Sequence, residues 1–293
     1  MSVRGGKAPL LDAVLAGRAC CAEETGDAES ADLFPEEEAL VARAVPARRR
    51  EFATARLCAR RALAALGAPP APLLRGRRGA PAWPVGVIGS ITHCMGFRGA
   101  AVAPADRVLA LGIDAEPHAP LPRGVLGAVA FGPERARLRV LAARRADICW
   151  DRLLFSAKES VYKAWSGYGG AWLGFEDADT SWRLDEAAEG PRGDAPVRGE
   201  EQGLGGHGHL PVPRAPARAG DGAGARGGRS GGAAGRFRAR ILVPPPPVRP
   251  DGPPFPQVLH GRWLVRDGLL LTAVTVPRTP LPRPTPTAPK EPL

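Results

Sequence analysis

The stretch Asp147-Ile148-Cys149-Trp150-Asp151-Arg152-Leu153-Leu154-Phe155-Ser156-Ala157-Lys158-Glu159-Ser160-Val161-Tyr162-Lys163-Ala164-Trp165 carries the clearest structural signal in the chain. Its apolar residues Trp150, Leu154, Ala157, Val161 and Trp165 recur at spacings of three and four, which predicts a helix over 147–165. Glu159 and Lys163 are four apart and share a face, with Ser156 beside them, away from the Leu154, Ala157, Val161 seam. On spacing alone this is equally a surface ion pair worth roughly 0.2–0.5 kcal/mol.

Upstream, Leu111-Gly112-Ile113-Asp114-Ala115-Glu116 ends a β-prone run, Val108 to Ile113. Strand alternation points Asp114 and Glu116 the same way, a half-site for a hard divalent cation or a pair of solvated carboxylates. Earlier still, Gly89-Ser90-Ile91-Thr92-His93 closes another β run, Val85 to Ile91, with hydroxyls and an imidazole that suit a phosphate or serve the fold. Gly99 to Ala103 is a third β-prone run. A helix is expected from Ala47 to Leu66, ending at Gly67, with Arg48, Arg49, Arg50, Arg56, Arg60 and Arg61 along it. Such arginines grip a phosphate by charge and bidentate hydrogen bonds, or form a solvated basic face. RNA is the other polyanion to weigh, but aromatics for base stacking are scarce. Leu33-Phe34-Pro35-Glu36-Glu37-Glu38 opens a helix that should end near Pro46, Pro at a first helical position followed by acids being a start signal. Glu134 to Ala143 also reads as a helix, and Leu10, Leu11, Val14 and Leu15 as a short helix or strand.

After Trp182 the composition changes. Residues 186–235 are Gly, Ala, Pro and Arg with almost no aliphatic content, and are expected to be a disordered insertion. Phe237 to Val243 restores β character, followed by a hairpin of Arg262 to Val265 and Leu269 to Val276 around Asp267-Gly268. The Pro-rich tail from Pro277 is expected to be unstructured.

The 293-residue chain carries a net charge of +10, which draws it to nucleic acid, anionic lipid, phosphorylated ligands or acidic proteins, or marks an Arg-rich soluble surface. Its five cysteines are odd in number and show no metal-ligand spacing, which points away from a disulfide scaffold or zinc site and toward a reducing, cytoplasmic setting. No basic region followed by an apolar run begins the chain, and no run of about 18 apolar residues offers a membrane span.

The order of these pieces carries more than any one of them. RRREFATARLCARRAL (48–63), GAPAWPVGVIGSITHC (79–94), LGIDAEPH (111–118), DRLLFSAKESVYKAW (151–165), WLGFEDA (172–178) and GRWLVRDGLLLTAV (261–274) closely resemble the 4′-phosphopantetheinyl transferases. The resemblance is to the bacterial siderophore and secondary-metabolism type, related to the enterobactin synthase component. It implies an α+β fold of two similar halves related by a pseudo-twofold, here 1–105 and 106–185 with 236–276, each a small antiparallel sheet with a long helix. It implies transfer of phosphopantetheine from coenzyme A to a serine of an acyl, peptidyl or aryl carrier protein, usually acidic, by a monomeric cytoplasmic enzyme, with no membrane or nucleic-acid partner. By the family pattern Asp114, Glu116 and Glu159 hold Mg²⁺ against the coenzyme A pyrophosphate. Thr92 and His93 contact its phosphates. Lys163, with Lys158 as a weaker candidate, stabilises or protonates charge there. Arg60 and one or more of Arg48, Arg49 and Arg50 match the positions that hold the 3′-phosphate, and Arg78 to Pro81 lies where the family's loop meets adenine. Glu159 is the implied base for the acceptor serine, directly or through a metal-bound water. Ala55 stands where relatives often carry Gly, and the 186–235 insertion departs from the pattern.

Overall fold

The computed structural model describes residues 9–76, 79–169, 172–185, 232–248 and 253–278. Two antiparallel sheets meet along an edge. The smaller holds β1 (Cys20–Thr25), β2 (Val87–Cys94) and β3 (Phe97–Pro104) in the order β1-β3-β2. The larger holds β4 (Val108–Pro117), β5 (Ala178–Leu184), β6 (Ala233–Ile241), β7 (Val258–Arg266) and β8 (Leu269–Pro277) in the order β4-β8-β7-β6-β5. Among the described residues the α-helices are α1 (Leu10–Leu15), α2 (Pro35–Val41), α3 (Pro46–Ala65), α4 (Leu126–Val129), α5 (Glu134–Arg144) and α6 (Trp150–Tyr168).

This is the expected α+β pairing of one long helix with each antiparallel sheet, though the sheets are unequal, with three and five strands. Helix α3 lays Cys58, Ala59, Ala62 and Leu63 on Ala100 and Val102 of β3. Helix α6 buries Leu153, Leu154, Ala157, Val161, Ala164 and Trp165 against the larger sheet, with Phe237, Trp263, Leu270 and Val274 opposite. On that sheet's other face, α1 inserts Leu10, Leu11, Val14 and Leu15 between Phe97 of β3 and Leu264 and Leu271 of β7 and β8. The short N-terminal helix thus belongs to the core of both halves.

Helix α6 runs three residues later at each end than expected. Asp147 is drawn to Arg145 by two bonds of 2.8 and 2.7 Å, outside the helix, and Gly169 in the left-handed conformation stops it. Ser156 is also not where spacing placed it. It is fully buried, and its hydroxyl meets the Thr272 hydroxyl at 2.9 Å.

In the hairpin, Asp267 and Gly268 both have positive φ, 55° and 75°, the backbone of a two-residue type I′ turn. Strand β6 begins at Ala233, inside the segment expected to be disordered up to 235; residues 186–231 lie outside the described residues. Composition hid this start because Ala and Gly have low strand propensity. A Cβ on Gly235 would sit 2.1 Å from the Arg183 carbonyl and 2.7 Å from the Trp263 ring, so only Gly fits. The tail also starts later than expected. Pro277 pairs with Val108, and the Arg278 N–H donates to the Arg107 carbonyl at 2.8 Å, while 279–293 lie outside the described residues.

The placement of the site depends on Gly112 of β4. A Cβ there would lie 1.9 Å from the Ser160 carbonyl oxygen and 2.7 Å from the Ala164 nitrogen, so strand and helix backbones touch. Gly112→Ala is expected to cost at least about 3 kcal/mol, above the usual overpacking range because the clash is with backbone. Denaturant unfolding checks this; a loss below about 1 kcal/mol would mean that the two backbones have room to separate.

Candidate active site

Strand β4 brings Gly112, Asp114 and Glu116 to one face, and α6 crosses that face. Two hydroxyls of β2 hold β4 from its open edge. The Ile113 N–H donates to Ser90 Oγ at 3.1 Å and the Ala115 N–H to Thr92 Oγ1 at 2.9 Å. Thr92 also donates to Asp114 Oδ1 at 3.4 Å. It is 2% exposed, so it orients Asp114 and joins the sheets; the structure does not present its hydroxyl to a ligand.

Lys163 and Asp114 come together in the structure. The Lys163 Nζ donates to Asp114 Oδ1 at 2.7 Å and to the Ile113 carbonyl at 3.0 Å. Asp114 is 5% exposed, and its second oxygen, Oδ2, is buried with no hydrogen-bond partner. An unpaired buried carboxylate oxygen is costly, and its natural complement is a cation. Glu159 and Glu116 lie close enough to feel that charge. Burial raises both carboxyls above the usual range, and Asp114 raises them further. The Arg152 Nη1 donates to Glu116 at 2.9 Å and opposes the shift. As the side chains stand, no three Asp, Glu, His or Cys among the described residues converge into an ion cage. The donors are nevertheless of the type that a hard, oxygen-seeking divalent cation takes, with one oxygen left over and mutual repulsion to relieve.

Beside this cluster lies a basic one. His93 of β2 gives its Nδ1 to Glu51 at 2.7 Å, and its Nε2 lies 3.2 Å from Arg48 Nη1. Arg48 also pairs with Glu51. Arg49 is exposed on the same helix turn. Burial lowers the Arg56 pKa; Glu37 opposes this, while Arg60, Arg75 and Arg48 add to it, so these arginines share one field. Arg60 is drawn inward. It donates to Glu37 at 2.9 Å and to the Asp32 carbonyl, with its guanidinium over the Phe34 ring. Pro81 forms a bridge with Arg75, and Arg78, between them in sequence, lies outside the described residues.

Lys158 is not brought to the site. Its ammonium is buried and donates to Glu134 Oε2 at 2.7 Å, the Val129 carbonyl at 2.9 Å and the Phe175 carbonyl at 2.7 Å. Glu134 also accepts from the Thr180 N–H and hydroxyl at 2.9 and 2.8 Å. All three protons of Lys158 are used, and the pair ties α6, α5 and β5 together. Glu159 and Lys158 are adjacent, so helix geometry sends them about 100° apart, one to the cleft and one to the interior.

Sequence reasoning missed Glu51, Arg75 and Arg152. Arg152 sits seven residues before Glu159, two helical turns on the same face, and that spacing was a usable signal. Glu51 stands three residues after Arg48, a usable signal for that pair, but its contact with His93 and the bridge of Arg75 to Pro81 join residues distant in sequence.

A basic patch that runs into an acidic cluster, joined by one lysine, has the chemistry to meet a phosphorylated ligand and a hard cation. Family comparisons give the chain its class. Residues 36–103 match the 4′-phosphopantetheinyl transferase N-terminal domain, and 110–193 match the 4′-phosphopantetheinyl transferase superfamily. The chain is 48% identical over 247 residues to 4′-phosphopantetheinyl transferase Svp of Streptomyces mobaraensis, covering 83% of this chain and 78% of the relative. It is 40% identical over 269 residues to 4′-phosphopantetheinyl transferase PptT of Mycobacterium tuberculosis, covering 92% and 97%. Over 265 residues it is 38% identical to 4′-phosphopantetheinyl transferase Npt of Nocardia iowensis, covering 90% and 99%. The chain belongs to the 4′-phosphopantetheinyl transferase superfamily.

The Lys158 assignment is open to test. Lys158→Met strands Glu134 in the interior, and breaking such a pair costs about 3–5 kcal/mol. Thermal unfolding should show that loss. The double variant Lys158→Met, Glu134→Leu should recover much of it. A single variant of full stability and no activity would place Lys158 in the chemistry instead.

Proposed function

We propose that this chain moves the 4′-phosphopantetheine group of coenzyme A onto a serine hydroxyl of an apo carrier protein, releases adenosine 3′,5′-bisphosphate and uses Mg²⁺. The observation that carries the reading is the unpartnered Oδ2 of Asp114, buried beside Glu116 and Glu159 and next to the arginine and histidine cluster. Asp114, Glu116 and Glu159 would hold the ion, which would supply charge neutralisation at the pyrophosphate.

The protein's own groups divide the remaining work. Lys163, fixed by Asp114 and the Ile113 carbonyl, stabilises charge on the departing oxygen. Arg48, Arg49 and His93 take the 3′-phosphate, with Arg56 and Arg75 adding to the field. The acceptor serine oxygen forms a bond to the β-phosphorus, and the bond from that phosphorus to the bridging oxygen breaks. The serine proton passes to Glu159, directly or through a water.

The acceptors are acyl, peptidyl or aryl carrier domains with acidic surfaces. The net charge of +10 supports encounter by electrostatic steering, so association should weaken steeply with salt. The enzyme acts as a monomer in the cytoplasm. That setting is supported by the free thiols of all five cysteines, and no helix among the described residues is long and apolar enough to cross a membrane.

Glu159→Gln keeps the side-chain shape and removes both a ligand charge and the base. Mass spectrometry of an apo carrier protein incubated with coenzyme A and Mg²⁺ should show no phosphopantetheine gain, while circular dichroism stays as in the parent. Near-normal transfer would mean that the acidic cluster is not the reaction centre. Lys163→Ala should lower kcat by about 10²-fold, in the range found for loss of one stabilising donor, with less effect on fold.

A further inference from the structure

The joint between α3 and β2 holds a carboxylate that the reaction above leaves without a task. Glu51 lies one turn past Arg48 on α3, with its side chain 23% exposed. Its Oε1 accepts the His93 Nδ1–H at 2.7 Å and also receives the Arg48 guanidinium. The His93 Nε2 is 3.2 Å from Arg48 Nη1. A guanidinium nitrogen can only donate, so Nε2 accepts there and the ring proton sits on Nδ1, facing Glu51. His93 is therefore neutral in this arrangement. A helix-surface pair of Arg48 and Glu51 would need no third member; here the third member is the imidazole that the phosphate has to meet.

The charges around that ring favour opposite outcomes. Burial holds the His93 pKa below its usual value, and the cations Arg48 of α3, Lys163 of α6 and Arg98 of β3 press the same way. Glu51 opposes them. An incoming phosphate adds negative charge on the Nε2 side, where Arg48 now donates. Nε2 can then take a proton from water and donate it, with Arg48, to the phosphate oxygens, provided that Nδ1–H stays anchored.

We propose that Glu51 is a positioning residue for phosphate capture: it anchors the His93 ring through Nδ1, so that Nε2 stays beside Arg48 and becomes a charged donor when the coenzyme A phosphate arrives. The proposal rests on the reading of His93 as a phosphate contact. It requires two contributions from Glu51, a hydrogen-bond acceptor and a negative charge, and these separate by substitution. In Glu51→Gln the amide oxygen still accepts from Nδ1 but carries no charge. In Glu51→Ala both are lost, and in Glu51→Asp both are kept at shorter reach.

The test follows the His93 imidazole by NMR through a pH titration of the ligand-free full chain, and measures KM and kcat for coenzyme A over the same range. In Glu51→Gln the His93 titration should move to lower pH. KM for coenzyme A should rise about tenfold near neutral pH, the scale of one charge-assisted hydrogen bond, with kcat changed by less than about twofold. Glu51→Asp should restore most of the KM. An unshifted titration in Glu51→Gln overturns the proposal, as does a KM rise that follows only a fall in melting temperature. His93→Ala with an unchanged KM would overturn the phosphate role of His93, and the proposal with it, whatever the titration shows.

Discussion

Strand β4 can bring two carboxylates against α6 only because residue 112 has no side chain. With backbone touching backbone at Ser160, the next residues inward on that face, Asp114 and Glu116, fall under the Lys163 and Arg152 side chains of the helix. The opposite edge of β4 needs holding too, because its N–H groups face a strand of the other sheet. Ser90 and Thr92 supply that hold, and their hydroxyls accept where a carbonyl would in a continuous ladder. The two constraints fix β4 from both sides. They tie the strand that carries Asp114 and Glu116 to both β2 and α6.

The basic residues of this chain fall into two groups, and the distinction follows from burial. Arg56, Arg60 and Lys158 are neutralised by carboxylates that are themselves buried, Glu37 and Glu134. Buried pairs of this kind add little net stability over apolar packing but are costly to break, so they behave as locators of helices. Arg48 and Arg49 stay at the surface with the neutral His93 beside them, open to a ligand. The acidic cluster shows the reverse economy. Asp114 is half satisfied by Lys163, and burial first, with the Asp114 charge after it, pushes the Glu116 and Glu159 carboxyls up. Repulsion retained in a folded site is stored affinity for whatever relieves it.

Much of this was legible in the sequence, for physical reasons. Helix α6 announced itself because its apolar face meets a sheet and must recur at 3.6-residue spacing, and the hairpin because Asp-Gly is one of few pairs that tolerate two positive φ angles. The pairing of Asp114 with Glu116 followed from strand alternation and held, since β4 continues through Pro117. What stayed hidden depends on contacts between distant elements. Lys158 and Lys163 look alike in sequence, and only the packing of α5 and β5 shows that one has a buried carboxylate waiting. Thr92 reads as a phosphate hydroxyl until β4 is seen to occupy it. Strand β1 was missed because Cys20 to Thr25 has no alternating apolar pattern, its six residues being partly buried or exposed throughout. Strand β6 was cut short because its first residues are small in order to admit Trp263.

Strand order also bears on the long connection between β5 and β6. Residues 186–231 connect β5 to β6, and the order β4-β8-β7-β6-β5 puts β5 at the far edge of the sheet from β4. Four strand spacings, about 19 Å at 4.8 Å each, separate that edge from Asp114. Chain length between β5 and β6 can change with little entropic cost, since loop closure grows only with the logarithm of length. The β5–β6 ladder of Ala178 to Leu184 with Gly235 to Ile241 closes the connection on its own. The described ends of that connection thus lie at the edge of the sheet opposite the strand that carries Asp114 and Glu116.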